Sequence, residues 1–417
     1  MKILHNLSRV CYMLLLLCFA LACRQEEPEQ SVATEAISPL ATLPQQLNEA
    51  GISLDNPKGL LILSEGNFSS EAGHLSFVDQ AQGTIANGIV QAVNARRLGS
   101  VAQDLAVYQG RLYVLSQNGD TRAQGQMKQI AVFDKSFRHI EDYDLDIAID
   151  PTDYSRPRRI GISNDRAYIY FKEEIYECAL DSEPRGDCYE VDEISQALDE
   201  RLYTIHQGGK EYLMIAGKRN IYRLGRNLEV SSFALPYGQR VLAMAVAPKL
   251  ADRDDIYTWV LVEDEAKGSN VLVKLRNLEQ EAVYDLPLRI AGRQPQDISL
   301  LAIELNLGTA LVFKEQGQIY RFNTWDKTLH SLYTSGNGGR NKLYGMLGLS
   351  PRRGSIYFSE FTDYAQFAAA WVGELDLMGR VRKTYPVSPA TEVGLSTSGL
   401  YTPFCAGIYP IEALYTY

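Results

Sequence analysis

The sequence predicts an all-β fold, a seven-bladed β-propeller, and two repeating features carry this prediction. A first set of runs, rich in β-branched and aromatic residues, recurs at spacings of 44 to 55 residues, at 60–65, 111–116, 166–171, 211–216, 255–262, 309–314 and 355–360. Each run is followed by a second run in which polar and apolar residues alternate. Alternating strands in units of about 40 to 50 residues are typical of propeller blades.

Each predicted blade has four strands. A polar outer strand follows each pair of runs, for example at 230–235 and 283–288, and an apolar inner strand precedes it, for example at 241–246 and 343–349. A solenoid of parallel strands is the alternative architecture, but its repeats are shorter and contain no hairpins.

The two ends of the repeat predict how the ring closes. The first unit begins with its second strand at Leu60, so it lacks an inner strand of its own. The apolar segment 404–409 supplies that strand, and its pairing with the strand at Leu60 closes the ring in one shared blade. Truncation after about Tyr401 is therefore expected to destabilise the whole ring.

Residues 1–22 have the pattern of a lipoprotein signal peptide. Two basic residues precede an apolar run at 10–19, and a small-residue stretch ends at Cys23. Because the apolar run is too short for a stable membrane span, lipidation of Cys23 is favoured over an ordinary cleaved signal. The chain is thereby divided into a signal peptide (1–22), a lipidated tether (23–57) that anchors it in a membrane, and a propeller (58–417).

The charge balance excludes nucleic acid as a partner. The 417 residues carry a net charge of −10, which becomes −12 when the two basic residues of 1–22 are removed. Binding to phosphate backbones depends on clustered Lys and Arg, and an acidic chain argues against such a surface.

Two cysteines are candidates for a disulfide. Cys178 and Cys188 flank a turn-rich segment between strand-like runs, so a hairpin disulfide is plausible in an oxidising compartment. Cys405 lies in the apolar closing segment and is expected to be a buried small hydrophobic residue.

Candidate ligand-binding residues lie in loops at one rim of the predicted ring. Propellers bind ligands with the loops that link each outer strand to the next inner strand and each second strand to the third. Arginines in these loops would form a cationic mouth, and tyrosines would add flat apolar faces with polar tips. The alternative is that each arginine is solvated or paired with a nearby acid. The predicted rim residues are Asn67, Arg97, Asn118, Arg159, Tyr237, Arg240, Arg293, Arg340, Tyr364 and Tyr401.

Signatures of catalysis are poor. The histidines of the predicted propeller are far apart and show no metal-ligand spacing, and none lies beside a nucleophile elbow. The sequence therefore predicts no catalytic residue, no metal and no cofactor, and a protein that is not an enzyme.

Four phrases of the sequence mark a subgroup of propellers. They are LSEGNFSSEAGHLSFVD (63–79), LGSVAQDLAVYQGRLYVLSQNG (98–119), YGMLGLSPRRGSIYFSEF (344–361) and YTPFCAGIYP (401–410). The phrases resemble the YncE-like propeller lipoproteins of Bacteroidota, which include surface cobalamin-binding lipoproteins. The acidic stretch 24–30 resembles the surface-export signal of such lipoproteins, with a plain solvated tether as the alternative.

The resemblance implies a lipid-anchored protein of the outer membrane, exposed at the cell surface. It would capture a scarce, bulky nutrient (cobalamin, haem or a ferric siderophore) and pass it to a TonB-dependent transporter. A propeller that docks proteins or glycans is the alternative. A metal-dependent, lactonase-like propeller enzyme ranks third, because no set of acids and histidines that would hold the metal is visible.

Overall fold

Nearly all of the regular structure is β-strand. A computed structural model describes residues 51–66, 72–118, 127–145, 147, 156–180, 187–247, 255–290, 298–315, 317–336, 341–362, 370–387 and 405–415. These ranges contain 28 strands, one α-helix, α1 (Ile89–Asn94), and two 3-10 helices, Arg226–Leu228 and Ile411–Tyr415. The all-β class predicted from the sequence is confirmed. The predicted signal peptide 1–22 and Cys23 lie outside the described residues, as does most of the tether 23–57.

Five sheets have four antiparallel strands each, in chain order. The first contains β4 (Ser100–Tyr108), β5 (Arg111–Asn118), β6 (Ile130–Phe133) and β7 (His139–Tyr143). The second contains β8 (Arg159–Ser163), β9 (Arg166–Phe171), β10 (Glu174–Ala179) and β11 (Cys188–Glu190). The third contains β12 (Tyr203–Gln207), β13 (Lys210–Ala216), β14 (Asn220–Leu224) and β15 (Val230–Ala234).

The remaining two sheets of this kind follow the same order. The fourth contains β16 (Gln239–Val246), β17 (Tyr257–Asp264), β18 (Ser269–Arg276) and β19 (Glu279–Leu286). The fifth contains β20 (Ser299–Glu304), β21 (Thr309–Glu315), β22 (Gln318–Asn323) and β23 (Thr328–Thr334).

A sixth sheet has eight strands and combines the two ends of the described chain. One half contains β24 (Lys342–Ser350), β25 (Ser355–Phe361), β26 (Ala370–Asp376) and β27 (Val381–Pro386). The other half contains β28 (Cys405–Pro410), β1 (Gly59–Ser64), β2 (His74–Asp79) and β3 (Thr84–Ala86).

Strand β28 pairs differently with its two neighbours in this sheet. It is antiparallel to β1, with Leu60 opposite Pro410 and Leu63 opposite Gly407. On its other side, Met346 of β24 pairs with Gly407 in parallel. Gly345 has a positive φ of 64° and lies against the carbonyl of Cys405, where a β-carbon would collide with backbone. Glycine therefore permits β24 and β28 to approach each other this closely.

The fourth strand of each four-stranded sheet is less buried than the first. All but two residues of β16 are buried, whereas one residue of β19 is. Strands buried on both faces are continuously apolar, and a strand at the exposed edge alternates with polar residues. This gradient explains why the apolar runs of the sequence correspond to the first and second strands.

The apolar core lies between consecutive sheets. One cluster packs Trp259 of β17 against Phe313 and Phe322 of the next sheet. Another packs Leu61 of β1 against Phe133 of β6. Seven such clusters occur among the described residues, and each takes its members from two consecutive four-stranded units. The fold is therefore propeller-like. No helix within the described ranges is long and apolar enough to cross a membrane.

Candidate functional site

The candidate functional residues that the structure describes lie along one edge of the sheets, which we call the upper edge. At this edge the first strand of a sheet begins and the second strand ends. In one sheet, for example, Gln239 at the start of β16 pairs with Asp264 at the end of β17. Because the strands are antiparallel, the connections before each first strand and after each second strand open to this edge.

A cleft of about 460 Å³ opens at the upper edge of three consecutive sheets. We call it the rim cleft. Its walls come from the β9–β10, β13–β14 and β17–β18 turns and from the segments 196–199 and 237–241. Two of the predicted rim residues, Tyr237 and Arg240, line it. Three of the connections to which the sequence analysis assigned ligand binding, 195–201, 236–240 and 263–269, therefore contribute to one concave surface.

The rim cleft combines an aromatic ring with cationic side chains. Tyr237 is 93% exposed, and the guanidinium carbon of Arg219 lies 5.4 Å from the centre of its ring. Arg240 Nε is 2.6 Å from Oε2 of Glu263, and Lys218 Nζ is 2.7 Å from Oε2 of Glu173. These two cations are thus paired with acids, as the alternative interpretation of the rim arginines expected.

A second group of residues at the upper edge is charged and largely buried. We call it the central charged cluster. Its members belong to or lie next to strands of five different sheets, counting the eight-stranded sheet as one. They are Glu65, Asp104, Arg159, Asp199, Glu200, Arg201 and Lys314. Asp104 is 1% exposed, and Arg159, Asp199, Glu200 and Lys314 are each under a tenth exposed. Charges removed from water in this way are costly unless they are paired.

Some of these charges are paired directly. Asp199 lies between two arginines, with Oδ1 2.9 Å from Arg159 Nε and Oδ2 2.6 Å from Arg158 Nη1. Asp104 accepts a 2.6 Å hydrogen bond from the hydroxyl of Tyr409. It also accepts hydrogen bonds from the backbone N–H groups of Leu105 and Ile160. This network connects β4, β8 and β28.

Burial changes the acidity of three carboxyls in the cluster. Loss of contact with water raises the pKa of Glu65 to about 7, although the hydroxyl of Tyr344, 2.9 Å away, opposes the shift. Burial also raises the pKa of Asp104, against the influence of Arg159. The pKa of Glu200 is raised well above its ordinary value, again by burial first.

The remaining predicted rim residues are distributed unevenly. Arg159 lies in the central charged cluster, adjacent to Asp199, which lines the rim cleft. Arg97 is half-buried beside His74, and Asn118 is buried at the end of β5, so neither lines the rim cleft. Five others lie outside the described residues: Asn67, Arg293, Arg340, Tyr364 and Tyr401.

Sequence reasoning missed Arg219 and the two acids Glu65 and Glu200. Arg219 had a usable signal, because it directly follows the strand-like run 211–216 and so lies in a connection after a second strand. The two glutamates have no local signal, since the residues that act on them, Tyr344 on Glu65 and Arg159 on Glu200, are distant in sequence.

Cys178 and Cys188 form a disulfide between paired strands. They are direct neighbours across β10 and β11 and are separated by ten positions in sequence. Among the described residues, no group of three or more metal-ligating side chains converges on one point.

Comparison of the sequence with models of protein families gives one match. A model described as a domain of unknown function (DUF5074) matches residues 58–232, which is less than half of the chain. A search of curated proteins finds no significant match.

Comparisons of structure give the fold. A quinonprotein alcohol dehydrogenase-like protein from Bacteroides thetaiotaomicron is 14% identical, with a TM-score of 0.52 over 81% of this chain and 76% of that one. A putative 6-phosphogluconolactonase from Bacteroides uniformis is 11% identical, with a TM-score of 0.47 over 84% of this chain and 98% of that one. At such identities the similarity to the first protein shows a propeller-like fold and leaves the function open.

The prediction that the chain is not an enzyme is contradicted by these comparisons. The similar structure with the TM-score of 0.52 is described as quinonprotein alcohol dehydrogenase-like. The poor catalytic motifs were an insufficient reason for the exclusion, because catalytic groups on a propeller converge from separate blades and leave no local pattern. Enzymatic activity is therefore a function that has to be tested for this chain.

Proposed function

We propose that the chain is a seven-bladed propeller that binds a bulky, planar or anionic ligand in the rim cleft. The eight-stranded sheet counts as two units, because its halves are joined by one parallel pairing, between Met346 and Gly407. Together with the five four-stranded sheets, these two units make seven blades. The seven apolar clusters support a closed ring, because they link each unit to the next and also the last to the first. The pairing of β28 with β1 is the closing contact.

The rim cleft is the observation that carries the proposed ligand binding. Its volume of about 460 Å³ lies in the range of small-molecule sites, roughly 300 to 1,000 Å³. An almost fully exposed tyrosine with an arginine over its ring offers a flat apolar surface next to a positive charge. A larger ligand would insert one edge into this cleft and leave the rest outside.

The proposed ligand is a scarce nutrient such as cobalamin, haem or a ferric siderophore. These molecules present the planar rings or anionic groups that suit Tyr237 and Arg219. We further propose that the chain is lipidated at Cys23, faces the cell surface on the outer membrane and passes the ligand to a TonB-dependent transporter. The signal-like segment 1–22 and the resemblance to surface lipoproteins support these steps.

Titration calorimetry with cyanocobalamin, haem and a ferric catecholate siderophore tests the proposal on the full chain. We expect saturable binding to one of the three, weakened at least tenfold by Tyr237→Ala. The control is Trp325→Ala, an aromatic that is 66% exposed in the β22–β23 turn at the opposite edge. Absence of binding to all three overturns nutrient capture and favours docking of a protein or glycan. Equal losses of affinity in the two variants would show that the binding site lies outside the rim cleft.

Catalysis at Glu65 is a second candidate function. A carboxyl with a pKa of about 7 is suited to general acid and base roles, because proton transfer is most efficient when the pKa lies near the working pH. Mass spectrometry of each ligand after incubation with the chain tests this candidate. Conversion that disappears in Glu65→Gln supports it, and recovery of every ligand unchanged removes it.

A further inference from the structure

Exposed apolar side chains are concentrated at the edge of the sheets opposite the upper edge, which we call the lower edge. At the lower edge the second strand of each four-stranded unit begins, and the turn between the third and fourth strands lies there too. Three of the five most exposed large apolar side chains in the described ranges occupy turns at this edge. They are Leu307, Trp325 and Met378, which are 58%, 66% and 71% exposed. With Leu305 of the same turn as Leu307, they form what we call the apolar turn patch.

The members of the apolar turn patch come from two consecutive units. The two leucines lie in the β20–β21 turn, whose Gly308 packs against the backbone nitrogen and the β-carbon of Trp325 in the β22–β23 turn. Met378 lies in the β26–β27 turn of the next unit, and its Sδ is 3.8 Å from Nη1 of Arg321 in β22. The patch therefore spans the boundary between the two units.

The turns do not need these apolar side chains in order to form. Turn tips are usually occupied by Gly, Asn, Asp or Ser, because these residues satisfy or relax the backbone. In the β22–β23 turn, the carboxylate of Asp326 accepts hydrogen bonds from Thr328. In the other two turns, Gly308 and Gly379 supply the positive φ angles, 76° and 83°. Clustered apolar side chains without a role in folding indicate a surface that contacts another protein or a membrane.

The place where the chain enters the ring favours a membrane as the partner. Strand β1 is the second strand of its unit and so begins at the lower edge. Just before it, the carbonyl of Lys58 accepts a 3.1 Å hydrogen bond from the backbone N–H of Gln80. The side-chain oxygen of Gln80 in turn accepts a 2.7 Å hydrogen bond from Arg353 in the β24–β25 turn. The entry point therefore adjoins the unit that carries Met378.

A lipid on Cys23 would keep this edge close to a bilayer. The chain between Cys23 and Gly51 covers 28 positions, and a flexible chain of that length spans roughly 30 Å. Tryptophan is favoured at the boundary between lipid and water, because its ring is largely apolar and carries one polar N–H. Anchoring also raises the local concentration of lipid, so a weak affinity of the patch is sufficient.

We propose that the apolar turn patch inserts into the interfacial region of a phospholipid bilayer and holds the ring with its lower edge on the membrane. This inference rests on the proposed lipidation of Cys23, which brings the membrane to that edge. The rim cleft lies at the upper edge, so it then opens away from the membrane. Transfer of a ligand to a transporter in the same membrane requires the patch to leave the lipid first.

Quenching of tryptophan fluorescence by vesicles of brominated phosphatidylcholine tests the proposal on the full chain. Bromine quenches at short range, and Trp325 is the tryptophan exposed at the lower edge. Trp259 is buried, and Trp371 is half-buried at the start of β26, at the upper edge. We expect the vesicles to quench the fluorescence of the unmodified chain, and to quench that of Trp325→Phe much less. Equal quenching in the two chains would overturn insertion at the patch.

Mass spectrometry of the N-terminal peptide separates this proposal from the proposed lipidation. A lipidated chain whose Trp325 is not quenched overturns docking and leaves lipidation standing. A chain that is quenched but carries no lipid supports docking and overturns lipidation. A chain that is neither lipidated nor quenched overturns both.

One variant and one matched control locate the contact. Leu307→Asp should lower the ratio of docked to free chain about tenfold or more, because a carboxylate stays hydrated where a leucine enters the interface. Val283→Asp is the control, since Val283 is also exposed, at 48%, but lies in the outer strand β19. Equal losses of quenching in the two variants would contradict the patch. Both variants should bind the nutrient like the unmodified chain, because neither residue lines the rim cleft.

Two further measurements distinguish lipid insertion from other contacts. Raising sodium chloride from roughly 0.1 to 1 M screens charges but does not weaken the burial of apolar surface, so quenching should persist. Loss of quenching at high salt would overturn apolar insertion in favour of attraction between charges. Sedimentation without vesicles tests for a second copy of the chain on the patch, and a dimer that Leu307→Asp dissociates would overturn lipid docking.

Discussion

Replacement of Glu65 by glutamine should stabilise the protein in neutral and alkaline solution. The structure gives the reason: Glu65 lies at the end of β1, away from most water, and its carboxyl accepts a hydrogen bond from Tyr344. A glutamine keeps an oxygen that accepts this hydrogen bond but never carries a negative charge. The variant therefore removes the cost of ionising the group inside the fold and little else.

The size of the effect follows from the change in acidity. The pKa of Glu65 is about 7 in the folded protein and has an ordinary value of 4.5 when the chain is unfolded. Between these two pH values the folded chain retains a proton that the unfolded chain releases, so stability falls as the pH rises. Two and a half pKa units at 1.36 kcal/mol each amount to about 3 kcal/mol, all of it lost above pH 7.

Urea unfolding followed by circular dichroism at pH 5 and pH 8 measures this difference. The unfolding free energy of Glu65→Gln, relative to the unmodified protein, should rise by about 2.5 kcal/mol between the two pH values, because a small part of the effect is already present at pH 5. The control is Glu279→Gln, which removes an exposed carboxylate at the start of β19 and should follow the unmodified protein at both. A relative stability of Glu65→Gln that does not change with pH would refute the argument from burial.

Three further predictions concern stability. Burial lowers the pKa of His74 from 6.5 to about 4. As the pH falls from 6.5 to 4, the unfolding free energy of the unmodified protein should therefore fall by about 2.6 kcal/mol more than that of His74→Gln, and equal losses in urea titrations would contradict this. Replacing both Cys178 and Cys188 with serine opens a ten-residue loop and should lower the unfolding free energy by about 2.7 kcal/mol. A reductant should destabilise the unmodified protein and leave the stability of the double variant unchanged. Deletion of residues 405–417 removes β28 and should abolish cooperative thermal unfolding, whereas a normal transition would show that β28 is dispensable.

Much of the fold was predictable because each β-strand has a characteristic local pattern of residues in the sequence. The runs 166–171 and 355–360 correspond to β9 and β25, and the closing segment 404–409 corresponds to β28 within one residue. Alternation with a period of two, repeated at a regular interval, requires no knowledge of distant contacts. The pairing of β28 with β1 was suggested by a missing strand, which is also a local observation.

The candidate site was less predictable because its contacts are long-range. Arg159 was predicted as a rim residue, but its burial depends on Asp199, forty positions later, and on Asp104 in another sheet. The acids Glu65 and Glu200 have ordinary neighbours in sequence, and burial is the largest cause of their raised pKa values. The type of loop thus predicted at which edge of the sheets a residue lies, whereas its pairing and burial follow from the three-dimensional arrangement.

The pairing of β28 with β1 has a consequence for biosynthesis. Strand β1 leaves the ribosome before β28 by an interval on the order of half a minute, at typical rates of translation. During that time the free side of β1 exposes unpaired backbone groups in an apolar strand, a surface that aggregates readily. We expect a holding chaperone to occupy β1 until β28 arrives, and nascent chains stalled before β28 to be preferred chaperone clients.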